Sequence, residues 1–326
     1  MRRRSRNPFT ELGAIADLVR LYRRERPTLV HQVTVKPVLY GSVAAWIARV
    51  PAVVNAVAGL GHVFVARGAA AQVMRWAISR AYAFALSRPA SRVIFQTEAD
   101  RDVLVSRGVI KAERAVLIRG AGVNIDAFQV TPEPEGTPIV MFAGRLLWNK
   151  GVGDLVEAGR LLAREGIACR IVIVGSPDAD NPMSVPESTL QGWQRDGHAE
   201  WWGKQDDMPA VLRQAAIVTL PTYYGEGVPK ILLEAAACGR AIVTTDLPGC
   251  RDVVRDGETG LIVAAQDPTG LALALAQLLR SPKERRAMGA RGRDVVLREF
   301  TESVVVAQTL AVYDAVRAEA RALGYT

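Results

Sequence analysis

Two glutamates, Glu226 and Glu234, stand eight positions apart inside YYGEGVPKILLEAAACG. Ionised carboxylates accept several hydroxyl donors at once, so two of them on one wall suit a polyhydroxylated ligand. Glu226 falls in a Gly-rich turn after the apolar run IVTLP, and Glu234 on a helix expected to open near Pro229. Gly225 and Gly227 leave room for a ligand to approach the backbone. The turn through Gly227, Val228 and Pro229 then presents the first amides of that helix to the same place. The spacing fits equally a solvated turn residue and a surface helix residue.

A second cluster is cationic. FAGRLLWNKG, residues 142–151, ends a strand and enters a helix. Arg145 and Lys150 follow Gly144 where a helix amino end already offers unpaired amide donors. Arginine brings a planar fork to phosphate oxygens and lysine a mobile point charge. Together they suit a diphosphate and the negative charge that builds as it departs; a solvated loop is the alternative. HAEWWGKQDDMP, residues 198–209, is another strand–turn–helix junction. Main-chain groups around Gly203 and Lys204 are placed there to frame a base.

The elements that must position these groups alternate. LVHQV, AVVNAV, RVIFQ and AVLIR are short, β-rich runs, with helices expected over roughly 38–49, 69–87 and 97–107. Thr97, with Glu98 and Asp100 behind it, marks a helix start. VTPEPEGTP, residues 130–138, has three prolines and no apolar period, which is the composition of a linker. The pattern restarts with IVMFA, RIVIVG, AEWWG, IVTLP, AIVTT and GLIV, with helices expected near 152–165, 207–214, 229–238 and 268–280. From about 284 the chain reads as helical to Ala322. The rhythm predicts an α/β protein of two doubly wound, Rossmann-like parallel-sheet domains with a cleft between them. The expected divisions are 1–130, a linker 131–138, a ligand-binding domain 139–300, and a terminal helix 301–326 packing back toward the first domain.

Bulk properties narrow the function. The 326 residues are 49% hydrophobic and 23% charged, as in folded globular proteins. The chain carries a formal charge of +8, unevenly spread: residues 1–138 hold 20 Lys/Arg against 10 Asp/Glu, and residues 139–326 hold 21 against 23. A basic first domain implies an anionic partner there, such as a membrane surface or a lipid diphosphate. No zinc finger or RNA-binding aromatic motif supports nucleic acid. Cys169, Cys238 and Cys250 have no metal-ligand or disulfide-framework spacing and read as buried reduced thiols in a cytosolic setting. The amino end has no apolar signal core, and no run reaches the roughly 18 residues of a membrane span.

The strand-end GRL…KG of Gly144–Gly151, the turn GEG.P and the Glu226–Glu234 pair resemble glycosyltransferase family 4. The resemblance covers nearly the whole chain. It implies the two-domain GT-B fold, a retaining reaction, a nucleoside diphosphate sugar as donor substrate and no required metal. It also implies that Arg145 and Lys150 grip the diphosphate, that Glu226 and the amides after it meet the transferred sugar, and that Glu234 meets the ribose. QVTVKPVLYGSVAAWIARVPAVVNAVAGLGHVF, FQTEADRD and ILLEAAACGRAIVTTDLPGCRDVV are similar to enzymes that extend polyprenyl diphosphate-linked saccharides for capsule, O-antigen or N-glycan precursors. That likeness implies a uridine-linked donor and a peripheral position on the cytoplasmic face of the inner membrane. Thr34, Lys36 and the loop from Gly59 to His62 are the acceptor-side candidates. The eight arginines among the first 26 residues, Val63–Val65 and Trp76 are the membrane-side candidates. His31 is expected to be structural, and His198 receives no role. Relatives carry further strands and a Gly-rich loop before the equivalent of residue 29, so a chain beginning mid-domain is expected. The competing expectations are a non-catalytic nucleotide-sugar-binding relative, an epimerase, or a glycogen-type synthase.

Overall fold

The computed structural model describes residues 8–57, 59, 79–83, 85–225 and 227–325. Most of the expected 69–87 helix, and with it Val63–Val65, His62 and Trp76, lies outside the described residues. So does Glu226. The chain divides into two compact units, Met1–Gly120 with Val305–Thr326, and Ala121–Val304.

In the first unit, helix α1 (Pro8–Glu25) precedes β1 (Leu29–Val33), α2 (Val35–Ile47), β2 (Ala52–Val57), β3 (Ser91–Phe95), α3 (Glu98–Ser106) and β4 (Ala115–Leu117). The four strands pair in parallel in the order β1-β2-β3-β4. Its inner strands β2 and β3 are buried almost throughout, as parallel strands covered on both faces are, while edge strand β1 alternates. Val38, Val57, Val93, Phe95 and Leu104 form one core cluster. Thr97 caps α3 as its sequence announces, its hydroxyl accepting from the Asp100 amide at 3.2 Å. α2 starts three residues earlier than expected. Pro37 falls in its first turn, where a missing amide costs nothing.

The second unit holds β5 (Ile139–Ala143), β6 (Arg170–Val174), β7 (Glu200–Gly203), β8 (Ile217–Leu220), β9 (Ala241–Thr245) and β10 (Gly260–Val263). They form one parallel sheet ordered β10-β9-β8-β5-β6-β7. The chain starts at the centre, builds outward through β6 and β7, then returns to the other side of β5. This is the doubly wound order with its switch point between β5 and β8. All five residues of β5 are buried, and its neighbours on both sides add to one continuous core. Around the sheet lie α4 (Val152–Arg164), α5 (Glu187–Arg195), α6 (Met208–Arg213), α7 (Lys230–Ala237), α8 (Pro248–Arg251), α9 (Pro268–Arg280) and α10 (Pro282–Glu299).

No helix is expected from the sequence over α5. Its segment ESTLQGWQR turns only Leu190 and Trp193 to the core, and nine residues are too few for that apolar side to repeat. The final helix, α11 (Glu302–Ala322), places Val312, Val316 and Ala320 in a cluster with Ala52, Val54 and Ile94 of the first unit's sheet. His31, on edge strand β1, is hydrogen-bonded through Nδ1 to the Tyr313 hydroxyl at 2.6 Å. That packing desolvates the imidazole and lowers its pKa. Among the cysteines, Cys238 and Cys250 are buried, but Cys169 is only partly so, which corrects its expected burial. None of the three forms a disulfide among the described residues, and burial pushes Cys169 and Cys238 up to about 11.

Candidate active site

Ligands of doubly wound sheets bind beyond the carboxyl ends of the strands at the switch point. In the second unit that point is bounded by the loops leaving β5 and β8. The first runs from Gly144 to Gly151 and contains Arg145 and Lys150. The second runs from Pro221 to Pro229 and opens α7, which carries Glu234. The two motifs, separated by about 80 positions in the chain, are therefore neighbours because their strands pair, with Val140 beside Ile217 and Met141 beside Val218.

Specific bonds fix their separation. The Asn149 carbonyl accepts the Tyr223 amide at 3.0 Å and the Thr222 hydroxyl at 3.2 Å. Thr245, at the end of β9, donates its hydroxyl to the Thr222 carbonyl. Gly151 sits in the left-handed region at φ 77°. A Cβ there would lie 2.0 Å from the Pro221 carbonyl oxygen, so only glycine allows this approach of the two loops. On its far side the first loop is backed by residues 176–186. Trp148 donates its amide to the Met183 carbonyl at 2.8 Å, and Val185 to Leu146 at 2.9 Å.

The cationic pair is split by environment. Arg145 is exposed, and no carboxylate among the described residues pairs with it. Lys150 is buried, at 8% exposure, in a single 3₁₀ turn over Trp148–Lys150. A buried ammonium is costly unless compensated, so its position is set by the loop rather than by solvent. Glu234 is also buried, at 9% exposure, and lies 3.6 Å from the Lys230 ammonium one helical turn earlier. Burial raises its pKa, and Lys230 partly opposes that rise. Gly227, Val228 and Pro229 are buried, and the first amides of α7 open at the carboxyl edge beside them. Gly203 ends β7, two strands beyond β5, and Lys204 follows it. Gly203 accepts the Gly175 amide at 2.8 Å, and Lys204 is an exposed cation 2.8 Å from Asp206.

Some groups here carried no sequence signal. Asn149 is buried with its Oδ1 lacking a hydrogen-bond partner. Asp154, in the first turn of α4, has a buried, unpartnered Oδ2. Burial and the nearby Asp267 carboxylate both push its pKa up. Burial and the Asp154 charge likewise raise the Tyr223 phenol. Spacing of like residues reveals none of these, because each is set by groups distant in the chain that the fold places against it. Among the described residues no cluster of three His, Cys, Asp or Glu is placed to hold a metal ion.

In the first unit, Thr34 caps α2 with φ 75°, an uncommon conformation for a β-branched residue. Lys36 follows in the first turn, at the carboxyl edge of β1. Gly59 lies beyond the end of β2, and His62 is outside the described residues.

Comparison with known proteins agrees with this architecture. A family model for "Glycosyl transferases group 1" matches residues 137–281, and one for "Glycosyl transferase 4-like" matches residues 1–97. Both matches are to glycosyltransferase domains, so the chain is a glycosyltransferase, and its two parallel-sheet units have the GT-B fold of its structural neighbours. It is 27% identical, over 96% of its length and 84% of the relative's, to an N,N'-diacetylbacillosaminyl-diphospho-undecaprenol alpha-1,3-N-acetylgalactosaminyltransferase of Campylobacter jejuni. It is 21% identical to the capsular polysaccharide biosynthesis glycosyltransferase CapM of Staphylococcus aureus, covering 94% of this chain and 81% of that one. Among solved structures, a sucrose-phosphate synthase from Thermosynechococcus elongatus superposes with a TM-score of 0.78 at 22% identity, covering 95% and 78% of the two chains. The Anabaena protein HepE, solved with UDP and glucose, gives 0.76 at 17% identity, covering 95% and 84%.

Proposed function

We propose that the chain transfers a sugar, with retention of anomeric configuration, from a uridine diphosphate sugar to a hydroxyl of a polyprenyl diphosphate-linked saccharide. The observation that carries this is the seam at the switch point. An exposed Arg145 and a buried Lys150 share one loop, and the Asn149–Thr222 and Asn149–Tyr223 bonds hold it against the loop that leads to Glu234. The donor diphosphate lies along Arg145, Lys150 and the first amides of α7. Glu234 accepts the ribose hydroxyls, and main-chain groups at Gly203 and Lys204 border the base. Glu226, named by its motif, meets the transferred sugar.

In the reaction the bond from the sugar's anomeric carbon to the diphosphate oxygen breaks. The acceptor oxygen bonds to that carbon on the same face, and its proton passes to the departing phosphate oxygen. Negative charge grows on the diphosphate throughout. Fixed cations and amides aimed at that charge lower the barrier more than groups that reorganise during the step. The acceptor class is supported by the Campylobacter relative, whose substrate is a diphospho-undecaprenol, and by the basic composition of residues 1–138. Thr34 and Lys36 are its contacts in the first unit. Residence at the cytoplasmic membrane face follows from such a substrate. Among the described residues no helix is long and apolar enough to cross a membrane.

The test is transfer of radiolabelled sugar to a polyprenyl diphosphate saccharide, with the anomeric configuration read by NMR. Lys150→Ala is expected to lower turnover about 100-fold or more while the protein stays folded. Wild-type turnover in that variant sinks the assigned role. UDP binding without any transfer marks a non-catalytic relative, and an inverted product overturns the retaining mechanism.

A further inference from the structure

The first unit holds a cavity at the opposite edge of its sheet from Thr34 and Lys36. α2 ends at Ile47 just before β2 opens at Ala52, and residues 85–90 lead into β3, so the cavity sits at the amino ends of the strands. It measures about 650 Å³ and is lined by Trp46, Ile47, Arg49, Arg88 and Tyr325, with small residues between them. That volume falls within the range of small-ligand sites. A neighbouring cavity of about 460 Å³ shares Arg49 and adds Arg23 and Arg26.

Among the described residues no acidic side chain lines either cavity. Arg88 donates Nη2 to the Val50 carbonyl at 2.7 Å, while its Nη1 is buried with no acceptor. No carboxylate among the described residues pairs with Arg23, Arg26, Arg49 or Arg88. Burial lowers the Arg88 pKa, and the Tyr325 phenol partly opposes that fall. A guanidinium held in this way gains most from an oxyanion, which binds it through charge-assisted hydrogen bonds. The rim is apolar. Trp46 is 61% exposed, Tyr325 41% and Ile47 40%. Inorganic phosphate leaves that rim in water. An amphiphile covers it, and tryptophan and tyrosine favour surfaces that are apolar on one side and wet on the other.

We propose that this cavity binds a phosphate-bearing amphiphile, its oxyanion on Arg49 and Arg88 and its adjoining apolar segment across Trp46, Ile47 and Tyr325. The site is separate from the sugar donor site and does not depend on the transfer reaction. The ligand is either a free molecule or a lipid still in its bilayer, and two measurements separate these sources. Calorimetric titration of the full chain with dihexanoyl phosphatidate, kept below micelle formation, reads the free form. Co-sedimentation with phosphatidylcholine vesicles, with and without phosphatidylglycerol, reads the bilayer form.

Binding is expected in at least one of these, and Arg49→Gln is expected to weaken it about tenfold, the worth of one charge-assisted bond. Trp46→Ser, at an exposed position, is expected to weaken it as well without unfolding the chain. Lys150→Ala is expected to leave it unchanged. The proposal fails if the wild-type chain binds neither probe, if Arg49→Gln and Trp46→Ser both bind normally, or if Lys150→Ala abolishes binding and so places the phosphatidate in the donor site.

Discussion

At the scale of single residues, Glu234 shows a function opposing stability. Its carboxylate is buried on α7, and desolvation raises its folded pKa despite Lys230. A raised pKa means that the protonated form fits the fold better. The associated stability is complete below the unfolded glutamate pKa of about 4.3 and is lost as pH rises through the folded value. Glu234→Gln removes the charge but keeps the shape. Its melting temperature is expected to match the wild type near pH 4 and to exceed it near pH 8 (both rough values set by the same glutamate pKa). UDP affinity should fall about tenfold in the same variant, because a neutral amide is the weaker acceptor for hydroxyls. Thermal melts at the two pH values and a UDP titration check both halves. A stability gain with intact UDP affinity removes Glu234 from the donor site.

At the scale of elements, the site depends on how closely two loops approach. Gly151→Ala forces a Cβ to within 2.0 Å of the Pro221 carbonyl oxygen at a left-handed φ. Relief requires the loops to part, at a cost of about 1–3 kcal/mol for the strained backbone alone. Lys150 and Glu234 then move relative to each other, so turnover should drop along with the denaturation midpoint. Thr222→Val is milder. It removes the hydroxyl donated to Asn149 and should cost about 1 kcal/mol, with KM for the donor rising more than kcat falls. Urea melts beside steady-state kinetics separate the two effects. The motifs themselves were legible, since a strand end followed by Arg and Lys, or by Gly and Glu, stands out in the sequence and suits the chemistry proposed for it. Asn149, Asp154 and Thr222 were not. Their roles arise from contacts across the β5–β8 seam, and nothing in their local spacing foretells them. α5 was hidden because its apolar side is only Leu190 and Trp193, too short a pattern to repeat within nine residues.

At the scale of the whole molecule, composition is an incomplete guide to tethers. Residues 130–138 read as a linker, yet they are held fast on the second unit. Arg285, 5% exposed, pairs with Glu133 at 2.6 Å, and Arg240 donates to the Thr131 hydroxyl at 2.7 Å. Glu133→Ala leaves the Arg285 guanidinium buried and uncompensated, which should destabilise the second unit by about 3–5 kcal/mol. Chemical denaturation measures that loss, and limited proteolysis should find residues 131–138 resistant in the wild type and cut in the variant. In the first unit α11 does comparable work. Arg92 pairs with Glu319 at 2.6 Å, and Val316 is fully buried beside the sheet.

The order of residues was enough to fix the alternation of strands and helices, the restart near residue 139, the loop that carries Arg145 and Lys150, and the helix that carries Glu234. These are local properties, because hydrophobic period and turn chemistry are written within a few neighbouring positions. Which strand lies beside which was decided only by tertiary pairing. The return of the chain from β7 to β8 makes residue 149 a neighbour of residues 222 and 223, and that contact brings the two motifs together where the donor site is proposed. The amino-edge cavity is of the same kind. Arg49, Arg88 and Tyr325 are far apart in the chain, and only the folded sheet gathers their charge and apolar surface around a common space.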